Sequence, residues 1–295
     1  MVMETELCVI VPLTRMSGRL TELSTWLRAL PQRKLKVVLV HDVQDEGTTP
    51  ELNTLINSCG DNRIILFEGN FGSPGAARNF GLSHSQSEWV IFVDSDDVVN
   101  LKAVFSVLDR HNESSSVLIG QYEICDRTTG SVVRNKANLN PKLDIAINPG
   151  IWRIIFLRER IEGYNFSNSL MGEDQLFLLQ IGIFGEKIQF FDDVIYQYFR
   201  NSSYQLTGKR EAIVQINSII PKTFEYFKIS DKSLRKYVSM MLLRQLVTQS
   251  KNIEKAGIQN QFLAFSSSIY HLGPASYLSL LKSIIQLSIH KVLNV

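Results

Sequence analysis

Three carboxylates, Asp94, Asp96 and Asp97, stand together with only Ser95 among them. They follow directly on Trp89-Val90-Ile91-Phe92-Val93, an apolar run rich in β-branched and aromatic residues. Such a run reads as a strand covered on both faces. A strand of that kind has no need to finish in clustered negative charge, and like charges at this spacing repel. A cation would offset them. Hard divalent ions take oxygen ligands, and Mg²⁺ commonly shares its shell with substrate phosphates. In open α/β sheets, ligands lie in the crevice beyond the carboxyl ends of the strands. Position and chemistry therefore agree on a site for a divalent cation and a phosphate-bearing ligand. A solvated acidic turn, with Asp97 or Asn100 capping the next helix, is the plain alternative.

The elements that must position this turn are legible upstream of it. Leu7 to Val11 reads as a first buried strand, stopped by Pro12. A helix follows from about Arg19, with Leu20, Leu23, Leu27 and Leu30 at helical spacing. Lys36 to Val40 is a second strand, running into His41-Asp42. Thr49-Pro50 looks like an N-cap with proline at the first helical position, and Gly60 lies past that helix's end. Ile64 to Phe67 is a third strand. The loop Gly69 to Gly75 then leads into a short helix through Ala76, Ala77 and Arg78. Small residues there let the backbone approach a ligand, and a helix start supplies free N–H groups. The acidic strand is fourth. This alternation predicts an α/β fold: a mainly parallel sheet with helices on both faces.

Beyond Asn100 the pattern loosens. A helix over Leu101 to Leu108 is expected, then strands over Val117 to Ile124 and Ser131 to Arg134 joined by a turn at Asp126 to Gly130. Residues 135–150 read as a loop. Gly172-Glu173-Asp174 opens a helix, and Val194 to Phe199 is strand-like. From Glu211 onward only helical periodicity remains. The division expected is residues 1–205 as the α/β domain and 206–295 as a helical region.

The chain has 295 residues, of which 44% are hydrophobic and 20% charged, an ordinary soluble composition. Net charge is +2, unevenly placed: residues 206–295 carry 12 Lys and Arg against 4 Asp and Glu, a net of +8, leaving −6 before them. A basic segment suits an anionic partner. No basic-aromatic interleaving points to nucleic acid. Cys8, Cys59 and Cys125 are few and scattered, which suggests a reducing compartment. The N-terminus lacks the pattern of a signal peptide, and no run of 18 apolar residues occurs. A cytoplasmic location is expected. In the tail, Tyr277, Leu281, Ile284, Ile285 and Val292 give a broad apolar helical face. It suits docking on the α/β domain, pairing with another subunit, or peripheral contact with the cytoplasmic face of a membrane.

Taken together, Val9 to Leu13, Val38 to Asp42, Gly72 to Leu82, Val90 to Asp97 and Gly172 to Phe177 resemble glycosyltransferase family 2. The resemblance covers about residues 6–205 and implies a GT-A fold, Rossmann-like, followed by the helical segment. It implies an inverting transfer of a sugar from a nucleotide diphosphate donor to a hydroxyl of a glycan or lipid-linked glycan, as in bacterial surface polysaccharide synthesis. By that match, Asp94, Ser95 and Asp96, with Asp97 assisting, hold Mn²⁺ or Mg²⁺ and the donor diphosphate. Asp42 helps to hold the base; a carboxylate can accept from the N3–H of uracil, which favours UDP. Where many relatives have a second Asp, this chain has His41. Pro12 and Thr14 line the same pocket, and Arg78 reaches the nucleotide or diphosphate. Asp174 is the general base, with Glu173 supporting it. Trp152, Arg153, Arg200 and Tyr204 fall in segments that approach donor or acceptor. Two other readings keep a similar sheet: a catalytically silent nucleotide-sugar-binding protein, and a nucleotidyltransferase.

Overall fold

Four apolar runs become the parallel heart of one sheet: β1 (Thr5–Thr14), β2 (Leu35–Asp42), β3 (Ile64–Gly69) and β4 (Ser87–Phe92). The computed structural model describes residues 5–135, 140–200 and 210–256. Further along come β5 (Val98–Val99), β6 (Val117–Asp126), β7 (Val132–Arg134), β8 (Ile154–Leu157) and β9 (Ile188–Arg200). The nine described strands run in the order β3-β2-β1-β4-β8-β6-β9-β5, with β7 paired to β6. Pairings among β1 to β4 and between β6 and β9 are parallel, whereas β8 enters antiparallel between β4 and β6.

The helices interleaved with these strands are α1 (Thr21–Leu27), α2 (Thr48–Cys59), α3 (Pro74–Ser83) and α4 (Leu101–Asp109). On one face Leu23, Trp26, Leu27, Leu52, Val104 and Phe105 pack on Val9, Val11, Val37 and Leu39. Each such side chain contributes about 1.5–3 kcal/mol relative to exposure. On the other face α3 lies so close that a Cβ on Gly81 would fall 2.5 Å from Ile10 Cγ2. Only glycine allows that approach.

Local chemistry sets the helix starts, in one case differently from expectation. The start of α2 is fixed by Asp45, whose carboxylate accepts from the Thr48 N–H at 2.7 Å and from Thr48 Oγ1 at 2.7 Å. The expected Thr49 cap is instead inside the helix. Ser73 caps α3, accepting from Ala76 N–H at 3.1 Å with Pro74 at the first position. Asn100 caps α4 through Ala103 N–H.

The chain divides into two compact units. One comprises Met1–Ala137, Gly150–Asn168 and Glu186–Ser202 and contains the sheet. The other comprises Asn138–Pro149, Ser169–Gly185 and Ser203–Val295. Its described helices are α5 (Pro141–Ile147), α6 (Glu173–Gln180), α7 (Arg210–Ile229) and α8 (Arg235–Ala256). Helix α5 corrects the loop expected over 135–150. Asn140 caps it, accepting from the N–H groups of Lys142 and Leu143, with Pro141 at its first position. Inside this unit Gln245 Nε2 donates to Gln175 Oε1 at 3.0 Å and to Thr223 Oγ1 at 2.9 Å, tying α8 to α6 and α7. The apolar tail face from Tyr277 to Val292 lies outside the described residues. No described helix is long and apolar enough to cross a membrane.

Candidate functional site

The parallel strands deliver their carboxyl ends to one edge of the sheet. Thr14 is in register with Asp42, Asp42 with Gly69, and Ile10 with Phe92. Pro12, two pairs back from the edge, faces Val40 in register. The Thr14 hydroxyl donates to the Asp42 carbonyl at 3.2 Å. Asp42 is buried, and both its carboxylate oxygens are used by the following loop: Oδ1 accepts from Phe71 N–H at 2.8 Å and Oδ2 from Gly72 N–H at 3.1 Å. Gly72 has a φ of 72°, left-handed backbone that favours glycine. Asp42 thus shapes the loop that starts α3. His41 points elsewhere in its bonding, with Nδ1 3.4 Å from Glu68 Oε1 and 3.3 Å from Thr49 Oγ1. It joins β2, β3 and α2 rather than doubling Asp42.

From α3, Arg78 reaches the acidic turn. Its guanidinium is buried, and Nη2 donates to Asp94 Oδ1 at 2.8 Å. Phe166 covers it, the ring centroid 5.6 Å from Arg78 Cζ. Asn79 fixes Phe166 by accepting its N–H at 2.7 Å and donating to its carbonyl at 2.9 Å. A Cβ on Gly75 would lie 2.2 Å from the Ser167 carbonyl oxygen. At that position the small residue serves packing of α3 on the 166–167 segment.

The three acids of the turn have separate surroundings. Asp94 holds Arg78. Asp96 has no ion-pair partner among the described residues; burial, and then the charge of Asp94, push its carboxyl up to about 6. Its backbone carbonyl accepts from Arg127 Nη2 at 2.9 Å, and Arg127 also pairs with Glu22. Asp97 is 1% exposed. Its Oδ2 accepts from the Tyr196 hydroxyl at 2.9 Å and its Oδ1 from Phe199 N–H at 2.7 Å. Burial, then the charges of Asp96 and Asp94, push this carboxyl well above the usual range. Ser95 Oγ donates to Met16 Sδ at 3.3 Å. Arg127 and Tyr196 were not singled out in the sequence. Arg127 lies in the hairpin turn, and Tyr196 is one aromatic in a strand, so neither has a local signature.

Trp152 is stacked on Tyr196 and Tyr198, with centroids at 4.6 and 5.5 Å, and Arg153 is fully buried beside Tyr122. Both sit within packing of the first unit. Arg200 Nε is 3.3 Å from Asp126 Oδ2. Tyr204 lies outside the described residues. In the second unit, Gly172 (φ 81°) precedes α6, Glu173 is buried and Asp174 is half-buried. Asp174 Oδ1 accepts from Gln175 N–H at 2.7 Å.

The family model described as glycosyl transferase family 2 matches residues 8–174, from β1 to Asp174 itself. Over 201 residues the chain is 29% identical to TarS of Staphylococcus aureus, a poly(ribitol-phosphate) beta-N-acetylglucosaminyltransferase; the match takes in 64% of this chain and 35% of TarS. The crystal structure of S. aureus TarS 1–349 in complex with UDP-GlcNAc has a TM-score of 0.69 at 19% identity, covering 90% of this chain and 79% of that one. A mannosyltransferase from Pyrobaculum calidifontis in complex with GDP-Man and Mn²⁺ has a TM-score of 0.56 at 14% identity, covering 98% and 86%. The fold is therefore GT-A. The chain spans only 35% of the curated TarS it matches. With more than half of its length matched by the family model, the chain belongs to glycosyl transferase family 2.

Proposed function

We propose that this chain is an inverting, divalent-cation-dependent glycosyltransferase that moves a sugar from a UDP-linked donor to a hydroxyl of a glycan or lipid-linked glycan. The observation that carries the reading is the Arg78–Asp94 pair beside Asp96, at the carboxyl end of β4. A buried guanidinium and two carboxylates there offer what a diphosphate and its cation need. TarS, by name, transfers N-acetylglucosamine and has been solved with UDP-GlcNAc, so UDP-GlcNAc is the first donor to try.

The residues present fit a hard divalent cation. Asp94 and Asp96 would supply oxygen ligands, and Asp96 has no ion-pair partner among the described residues. Among the described residues no group of three His, Cys, Asp or Glu converges, so donor phosphates would complete the shell. When bound, the cation would offset charge on the leaving diphosphate. The chain itself then has three tasks. Asp42 and the loop it braces present the nucleotide end of the pocket. Arg78 binds diphosphate oxygens while anchored to Asp94. Asp174 accepts the proton of the incoming hydroxyl, with Glu173 beside it.

Donor binding gives a first prediction. Arg78→Ala removes a charge-assisted contact, and Asp42→Ala leaves the Phe71 and Gly72 N–H groups without their acceptor. Each contact is worth roughly 1.5–3 kcal/mol, so UDP affinity by calorimetry should fall about tenfold or more in both variants. Unchanged binding in both would count against the pocket.

A second prediction follows from Asp96. Its folded-state pKa of about 6 lies above the unfolded value, so its contribution to stability is present at low pH and lost as pH rises through about 6. A cation replaces the proton in that role. In a thermal-shift screen of UDP-, GDP- and dTDP-sugars with Mn²⁺, the UDP-sugar should stabilise most at pH 7.5. Stabilisation at pH 5.5 should be smaller, because a protonated Asp96 is a poor ligand. Equal shifts at both pH values would contradict the assignment.

We also propose that residues 206–295, with their net charge of +8, hold the enzyme at an anionic membrane surface. Each basic residue near such a surface adds about 1 kcal/mol, screened by salt. Flotation with anionic liposomes should recover the protein at low salt and not at high salt. Absence from the lipid fraction at both would favour docking of this region on the rest of the chain.

A further inference from the structure

One hydroxyl of β9 bonds to two residues of the acidic turn. Tyr196 Oη accepts from the Asp94 backbone N–H at 3.1 Å and donates to Asp97 Oδ2 at 2.9 Å. The other oxygen of Asp97 accepts from Phe199 N–H at 2.7 Å. Beyond the turn, Val99 pairs with Tyr196 and Asn100 N–H donates to the Ile195 carbonyl at 2.8 Å. Both ends of the Asp94–Asp97 turn are thus held by β9, about a hundred residues away in sequence.

The strand is bent to make this possible. Register between β6 and β9 shifts at Ile119/Gln121 and again at Gln121/Tyr122. Such bulges re-aim side chains and add twist. Gly120 sits at the shift, where a Cβ would fall 2.6 Å from Ile195 Cγ1. Ile195 and Tyr196 are both fully buried. The Tyr196 ring is held independently of its hydroxyl, stacked on Trp152 at 4.6 Å and 22°.

We propose that Tyr196 is a positioning residue for the cation site, with Asp97 as its anchor rather than a ligand, so that together they set the pitch at which Asp94 and Asp96 are presented. The inference rests on the cation-dependent reading given above and assigns roles to two side chains within it. Both oxygens of Asp97 are committed to donors on β9, whereas Asp96 has no ion-pair partner among the described residues. A hydroxyl that bonds at once to the backbone of one acid and the side chain of another fixes their relative orientation. Sites of this kind need their ligands held within a fraction of an ångström.

The test is Mn²⁺ binding, read from the electron paramagnetic resonance signal of free Mn²⁺ at saturating UDP. Tyr196→Phe keeps the stacked ring and loses only the hydroxyl. It should weaken Mn²⁺ binding about tenfold, the scale of a charge-assisted hydrogen bond, while UDP binding without metal stays near wild type. Asp97→Asn cannot accept the Tyr196 proton at its amide nitrogen and should show a similar loss. The double variant should be no worse than either single one, because both break one link. A merely structural role would lower the melting temperature and leave Mn²⁺ affinity unchanged, and that result in Tyr196→Phe would overturn the inference. So would loss of Mn²⁺ binding in Asp97→Asn alone, which would make Asp97 a ligand. A wild-type protein that binds UDP but no Mn²⁺ would overturn the cation reading first, and this inference with it.

Discussion

Asp96→Asn is expected to abolish transfer while leaving the protein folded. Asparagine matches the size of the side chain, and the backbone carbonyl that accepts from Arg127 is untouched. What disappears is the negative charge that burial and Asp94 already make unfavourable. Above pH 6 the variant should therefore be at least as stable as wild type. Below that pH the difference should fade, because wild-type Asp96 is then protonated as well. Activity should go the other way. Loss of the cation forfeits several kcal/mol of charge stabilisation on the leaving group, so a fall of roughly 10³-fold or more is expected. Unaltered turnover in this variant, or full wild-type activity in excess chelator, would show that the acids serve another purpose.

The second large effect belongs to Asp174. Adjacent residues diverge by about 100° around a helix, so Glu173 and Asp174 at the start of α6 cannot both address one hydroxyl. Glu173 is buried and Asp174 half-buried. Gln175, next in the chain, is bonded to Gln245, and Gln245 to Thr223, so the helix carrying the pair is held by α7 and α8. Asp174→Asn keeps an oxygen to accept from Gln175 N–H and loses the ability to take a proton. A drop of roughly 10²-fold or more in kcat is expected, the usual scale for a positioned base. UDP affinity should stay near wild type, since binding needs no proton transfer. The product should have the anomeric configuration opposite to the donor, because a single displacement leaves no covalent intermediate. Retention, read by proton NMR, would exclude Asp174 as the base of a direct displacement.

What could be read in advance follows the range of the interactions involved. The runs Leu7 to Val11, Lys36 to Val40, Ile64 to Phe67 and Trp89 to Val93 are buried on both faces, so each is continuously apolar and each appears as a parallel strand. Caps made within three residues, at Ser73 and Asn100, carry their own signals. The Asn140-Pro141 start of α5 carried one too, but the polar stretch around it reads as a loop. Long-range pairing leaves no such trace. Nothing near Ile154 says that β8 enters antiparallel between β4 and β6, and nothing near Val98 announces its two-residue strand with β9. The same holds in the site. The acids are visible as a cluster, yet Asp97 differs from Asp96 only through Tyr196 and Phe199, residues on a strand whose register is shifted by bulges. Likewise, Asp42 is recognisable at a strand end, but its engagement with Phe71 and Gly72 depends on the turn the loop takes.

The most direct measurement of the account is release of free UDP from UDP-GlcNAc and other UDP-sugars by the purified chain, with Mn²⁺ and a hydroxyl-bearing glycan acceptor. Chelated enzyme, Asp96→Asn and Asp174→Asn serve as the three comparisons. UDP release is expected in the wild type, none in chelator or Asp96→Asn, and a roughly 10²-fold slower rate in Asp174→Asn with donor binding intact. Donor binding without UDP release from any sugar across an acceptor panel, or release that ignores both metal and Asp96, would contradict it.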